Sequence, residues 1–88
     1  MVWQIRIEKR AQKDLQKLVR ADQLRIYAFL QSRLANQKDP PELGEALTGP
    51  LSGFWKYRVG SYRLISLIED RTITISIIRI GHRREIYR

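Results

Sequence analysis

The chain has 88 residues, 43% of them apolar and none of them Cys, which gives room for one domain with one core and none for a separate catalytic domain. The absence of Cys excludes disulfide frameworks, thiolate metal sites and thiol nucleophiles and suits a reducing cytoplasm, where a soluble chain is expected: no stretch reaches the roughly 20 apolar residues of a membrane span or forms a signal peptide. Seventeen Lys plus Arg against nine Asp plus Glu give +8, which favours polyanionic partners by counterion release; residues 8–38 and 54–88 each hold eight basic and three acidic residues, while residues 39–53 carry −3.

Residues 2–7 alternate, with Trp3, Ile5 and Ile7 on one side and Gln4 and Arg6 on the other, which predicts a half-buried first strand. From Glu8 the period lengthens. Ala11, Leu15 and Leu18 fall at i, i+4 and i+7 among Lys9, Arg10, Lys13, Asp14 and Lys17, the pattern of an amphipathic helix with a wet, basic back. The stripe breaks at Arg20-Ala21-Asp22. Asp22 is expected to cap a second helix to about Gln37, with Leu24, Tyr27, Leu30 and Leu34 turned inward and Ile26 and Phe29 alongside.

Asp39-Pro40-Pro41 stops that helix, and the stretch to Gly53 holds all three Pro and three of the five Gly, so residues 39–53 are expected to form a loop with at most a short turn. Residues 54–59, 62–69 and 72–80 are rich in aromatic and β-branched side chains and separated by very short connections, which predicts a three-stranded antiparallel meander. The fold class is therefore α+β in a single domain over residues 1–88: a strand, a two-helix hairpin, then the meander, with the helices packed on one sheet face.

A two-residue turn at Gly60-Ser61, with Gly at the first central position, places Arg58 opposite Arg63, Val59 opposite Tyr62, Tyr57 opposite Leu64 and Lys56 opposite Ile65. Side chains alternate, so Lys56, Arg58 and Arg63 share one face, and Trp55, Tyr57, Val59, Leu64 and Ile68 share the other. A tight turn at Asp70-Arg71 would put Ile73 opposite Ile68 and Ile77 opposite Leu64. The apolar face receives the helices; around the cations lie Ile65, Leu67, Thr74, Ser76 and Ile78, and nothing in the sequence obviously covers them. Three like charges without a carboxylate are unfavourable on a sheet unless an anion joins them, which favours an anion site over a merely solvated face.

Gly81-His82-Arg83-Arg84-Glu85-Ile86-Tyr87-Arg88 adds further cations, the only His and an aromatic residue directly after the last strand. Cations interleaved with an aromatic ring suit single-stranded RNA, because a base stacks on the ring while guanidiniums hold phosphate. The plainer alternative is a short extra strand with Ile86 and Tyr87 against the sheet edge.

The block Leu47-Thr-Gly-Pro-Leu-Ser-Gly-Phe-Trp-Lys-Tyr-Arg-Val-Gly-Ser-Tyr-Arg-Leu-Ile, together with the ending Ile80-Gly-His-Arg-Arg-Glu-Ile-Tyr-Arg88, resembles the RelE branch of the RelE/ParE toxin superfamily. The resemblance spans essentially the whole chain. It implies a RelE-like fold and a prokaryotic type II toxin that cuts mRNA in the ribosomal A site without metal or other cofactor, inhibiting translation. It also implies a cognate RelB-like antitoxin, through which the complex binds operator DNA, and no membrane partner. Carried over position by position, the catalytic cations fall on Lys56, Arg58, Arg63 and Arg83 and the stacking aromatic on Tyr87, with His82 as a second candidate for proton transfer.

The implied reaction is attack of a ribose 2′-hydroxyl on its own phosphate, leaving a 2′,3′-cyclic phosphate and a 5′-hydroxyl end. Arg58 and Arg63 suit charge stabilisation, Lys56 is the base only if neighbouring cations lower its pKa, and Arg83 or His82 supplies the acid. A cluster without a strong neutral-pH base needs a ribosome to hold the mRNA in line, and Lys9, Arg10, Lys13, Lys17, Arg20 and Arg25 are the expected contacts with ribosomal RNA. Two other readings stay open: a ParE-like toxin that inhibits DNA gyrase and cleaves nothing, and a non-catalytic RNA-binding module.

Overall fold

In the computed structural model, which describes residues 2–82, the alternation of the first segment gives strand β1 (Gln4–Ile7) with Ile5 and Ile7 packed on the core. Helix α1 (Lys9–Gln16) buries Ala11 and Leu15, with Leu18 beyond its end against the same core. Helix α2 (Arg20–Ala28) runs on into a wide π turn over Phe29–Leu34, in which the Ala35 amide donates to the Leu30 carbonyl at 2.9 Å. Asp22 does not cap this helix: Val19 is the capping residue, and Asp22 sits in the first turn, where a carboxylate still favours the helix dipole and where its Oδ2 accepts the Tyr62 hydroxyl at 2.9 Å.

The inward stripe also differs from the expected one. Ile26, Leu30 and Leu34 are buried, whereas Leu24 and Tyr27 are exposed. Four residues overshoot an α turn of about 3.6 residues and undershoot the wider π turn, so the change of pitch brings Leu34 back into line with Ile26.

The loop expected at 39–53 contains a short edge strand, β2 (Glu45–Ala46), which is followed by β3 (Trp55–Val59), β4 (Tyr62–Glu69) and β5 (Thr74–His82). These make a five-stranded sheet in the order β1-β5-β4-β3-β2, antiparallel except for the parallel β1–β5 pair. The helices cover one face, with Ala11, Leu15, Ile26, Leu30 and Leu34 against Tyr57, Val59, Leu64, Ile75, Ile77 and Ile80. No helix among the described residues is long and apolar enough to cross a membrane.

The β3–β4 hairpin has the register that its turn predicts, Arg58 opposite Arg63 and Lys56 opposite Ile65, with Gly60 at φ 59 supplying the conformation a type II′ turn needs. The β4–β5 register does not follow the expected tight turn. Asp70–Thr72 form a 3₁₀ turn and Ile73 takes the left-handed conformation at φ 50, so Ile68 pairs with Ile75 rather than Ile73. A β-bulge then leaves Ile78 without a partner: Ser66 pairs with Ile77, but Ile65 pairs with Arg79 and Leu64 with Ile80. One extra residue reverses the facing of everything after it, which carries Ile80 into the core and His82 onto the helix-facing side.

Tyr57 fixes the loop that carries β2. Its ring is fully buried, its hydroxyl donates to the Pro40 carbonyl at 2.9 Å, and burial, with a smaller effect from Asp39, pushes the phenol well above its ordinary range.

Candidate functional site

Lys56, Arg58 and Arg63 project from the face of the sheet opposite the helices, brought together by the β3–β4 register. A carboxylate joins them. Edge strand β2 pairs Glu45 with Lys56, and the Leu47 amide, donating to the Phe54 carbonyl at 3.0 Å, extends that pairing beyond the two strand residues. Glu45 Oε2 stands 3.1 Å from Lys56 Nζ, where the side chains are 68% and 12% exposed respectively, so the ammonium is nearly enclosed while the carboxylate faces solvent. The hydrogen bond and charge of Lys56 hold the Glu45 carboxyl below its ordinary value of 4.5, and Arg58 and Arg63 pull more weakly in the same direction.

This face is less open than the sequence suggests. Ile65, Thr74 and Ser76 are buried on it, Arg63 is half-buried with its Nε enclosed, and Arg58 alone of the three sheet cations is exposed. The cluster is thus a set of fixed charges at the end of the β3–β4 hairpin, with one ionised carboxylate at its edge. It can bind a phosphate oxygen through the cations, and the carboxylate lone pairs can accept a proton.

Residues 5–87 match the family described as the ParE toxin of type II toxin-antitoxin system, parDE. This chain belongs to the RelE/ParE superfamily of type II toxins. It is 33% identical to Toxin RelG of Mycobacterium tuberculosis (strain ATCC 25618 / H37Rv) over 88 residues, covering 100% of this chain and 99% of that protein. With Toxin RelE of the same strain it shares 31% over 86 residues, or 98% of this chain and 87% of that protein. Among solved structures it is similar to a chain of the toxin-antitoxin complex RelBE2 from M. tuberculosis, with a TM-score of 0.87 and 29% identity over 97% of this chain and 95% of that one. A chain of the archaeal RelE-RelB complex from Pyrococcus horikoshii OT3 aligns with a TM-score of 0.74 and 27% identity over 97% and 99% of the two chains.

The structure of this RelE-family toxin separates the remaining candidates. His82 pairs with Tyr62 and stands edge-on to its ring, 6.0 Å between centroids, on the helix-facing side and so across the sheet from Lys56, Arg58 and Arg63. Arg83 and Tyr87 lie outside the described residues. Lys9, Arg10, Lys13, Lys17, Arg20 and Arg25 are all exposed, and three of them line two separate clefts. Arg10 and Lys17 line a cleft between α1 and the end of β5, whereas Arg25 joins Arg33 and Arg58 along a groove between α2 and the β3 edge, floored by Phe29 and Val59.

Two residues of the toxin were not singled out from the sequence as site residues. Glu45 lies in the acidic segment between the two basic halves, and its opposite sign was the available clue; a two-residue strand leaves no periodicity to place it. Asp14 lies on the inner side of α1 next to Leu15 and is buried, in a position where a helix facing a sheet ordinarily carries an apolar residue.

Proposed function

We propose that this toxin is a ribosome-dependent mRNA endoribonuclease that cuts in the A site and is held inactive by a RelB-like antitoxin. The observation that carries the reading is the gathering of Lys56, Arg58 and Arg63 on one sheet face with the Glu45 carboxylate 3.1 Å from Lys56. The names of its relatives and the toxin-antitoxin complexes among its structural neighbours support the antitoxin. In the complex, operator DNA is contacted through the antitoxin.

The ribose 2′-oxygen forms a bond to phosphorus as the bond from phosphorus to the 5′-oxygen breaks, which leaves a 2′,3′-cyclic phosphate and a 5′-hydroxyl. Arg58 and Arg63 stabilise the charge that builds on the non-bridging oxygens. The ion pair makes Lys56 a charge-bearing group and Glu45 the group with lone pairs for the 2′ proton; the 5′-oxygen takes its proton from Arg83, with Tyr87 stacking on the neighbouring base. His82 stands across the sheet from the cations, which weighs against it as the acid. A carboxylate held this far below neutrality is a weak base, so most of the acceleration comes from the ribosome's alignment of the mRNA and from the cations.

Mapping 5′ ends on translated mRNA after induction tests the proposal. Fresh 5′-hydroxyl ends inside codons, present only with ribosomes, are the expected result, and toxicity without new ends overturns it. That second outcome would favour the rival reading that the ParE description of the matched family supports, a toxin that inhibits DNA gyrase without cutting RNA.

Replacing Lys56 by Met provides an independent check of the cluster. Lys56 is the main cause of the depressed Glu45 carboxyl, so its removal raises that group toward its ordinary value of 4.5. A ¹³C titration of the Glu45 carboxyl should show a midpoint below 4.5 in the natural protein and a higher one in Lys56→Met. Identical midpoints would mean that the pair does not form in solution.

A further inference from the structure

Among the described residues Asp14 is the one buried carboxylate, and it does more than satisfy itself. Its Oδ2 accepts the Ile80 amide at 3.0 Å and Nε–H of Arg79 at 3.3 Å, while Oδ1 lies 3.6 Å from Nε of Arg10. One backbone amide and one cation would be enough to settle a buried carboxylate. Here a second guanidinium is held as well, and both Arg10 and Arg79 keep much of their surface exposed, 61% and 40%. Arg79 is hydrogen-bonded at Nε and Arg10 is ion-paired there at 3.6 Å, and neither contact uses the terminal Nη groups.

Those side chains open into the cleft between α1 and the end of β5, about 440 Å³ in volume, which is within the range of a small-molecule site. Lys17 adds a third cation to its lining, and three cations outnumber the one carboxylate. Tyr62, tied to Asp22 through its hydroxyl, and His82, edge-on to it, supply a rigid aromatic wall. Cations held in place beside aromatic rings in a nucleotide-sized cleft suit a phosphate and its base rather than a bare ion.

We propose that this cleft is a second nucleotide subsite, taking a phosphodiester-linked nucleotide of single-stranded RNA, with Asp14 as the positioning residue that aims Arg10 and Arg79 at its phosphate. The inference rests on the RNA-cleaving reading above and adds where the strand goes on leaving the scissile bond. Arg63 on one face pairs with Gly81, and the next pair, Tyr62 with His82, faces the other way. At this end of the sheet the last cation of the cluster and the aromatic wall of the cleft are thus one residue pair apart, close enough for successive nucleotides of one strand to reach both.

The test uses the full chain and a 2′-O-methyl trinucleotide, which cannot be cut, followed by amide chemical shifts at low salt. Shifts are expected at Leu18, Ile80, Gly81 and His82. Arg79→Ala and Arg10→Ala should each weaken binding about fivefold or more and lower the salt slope by about one. Asp14→Asn gives the sharper result, because removing a negative charge from a phosphate site strengthens binding on electrostatics alone, whereas loss of the group that orients two guanidiniums weakens it. The expected outcome is weaker binding with the thermal unfolding transition retained; should that variant fail to fold, Arg10→Ala decides.

Unchanged or tighter binding in the decisive variant overturns the proposal. So do shifts confined to the sheet face of Arg58 and Arg63, and so does an acidic peptide that perturbs the cleft when the trinucleotide does not. Cleavage in a translation extract is scored separately. Trinucleotide bound in the cleft of a toxin that cuts nothing would retire the nuclease reading and keep the subsite, whereas cleavage without binding in the cleft would do the reverse.

Discussion

Arg63→Ala is expected to lower cleavage of ribosome-bound mRNA by about 10²–10³-fold, the usual effect of removing one preorganised group from a developing phosphoryl or oxyanion charge. Arg63 is the central cation of the cluster, directly across the β3–β4 pair from Arg58 and half-buried, so its guanidinium is already restrained before substrate arrives. The accompanying change in stability separates a catalytic role from a packing role. Truncating a half-buried side chain that merely packs lowers the unfolding temperature, but removing one of three like charges from one sheet face relieves repulsion. The two contributions oppose each other, and the net change in stability is expected to stay within about 1 kcal/mol, roughly 4–8 °C in a domain of this size. Arg63→Lys keeps the charge and loses the planar fork, so it should recover only part of the rate. Mapped 5′ ends in a translation extract, with a thermal melt of the same sample, give both readouts. Undiminished cutting by Arg63→Ala would remove the catalytic role assigned to this face.

How far the sequence could be read depended on where each turn keeps its information. Gly60-Ser61 advertises both the turn type and the register, so the pairing that assembles Lys56, Arg58 and Arg63 was legible from residue numbers alone. The β4–β5 connection carries no such mark. Its left-handed residue is Ile73, a β-branched side chain that local preference excludes from that conformation, and its bulge at Ile78 is marked only by two adjacent isoleucines, Ile77-Ile78, in an otherwise alternating strand. Tertiary packing decided both, and with them the face on which His82 projects. The same holds for α2, where the π turn and not the α period selects Ile26 over Leu24 and Tyr27. Glu45 carried a clue in its sign but none to its place, because a two-residue strand is fixed by what lies beside it. The strand–helix–helix–meander order, by contrast, is written in long periodic segments, and it is the order that the RelE/ParE relatives share.

The placement of Glu45 leads to the second large effect, Gly44→Ala. Gly44 has φ −125, which any residue adopts, so backbone strain is not the reason for glycine there. A Cβ at this position would lie 2.7 Å from the Lys56 carbonyl oxygen and 2.9 Å from Cε1 of Tyr57. Neither neighbour can yield: the carbonyl belongs to β3, and the Tyr57 ring is fully buried with its hydroxyl tied to Pro40. The added methyl must therefore push β2 off the sheet edge, at a cost of about 1–3 kcal/mol, as for other insertions into closed packing. For a chain of this length that lowers the unfolding midpoint by about 4–8 °C per kcal/mol. The same movement draws Glu45 away from Lys56, so the carboxyl midpoint rises toward 4.5 although every charged residue is still present. Gly49→Ala is the matched control: Gly49 has φ +67 with open space around it, so alanine there brings backbone strain of about 1 kcal/mol and leaves the carboxyl midpoint unmoved. A Gly44→Ala protein that keeps both its melting point and its depressed Glu45 carboxyl would show that contacts other than this close approach hold the edge strand against Lys56.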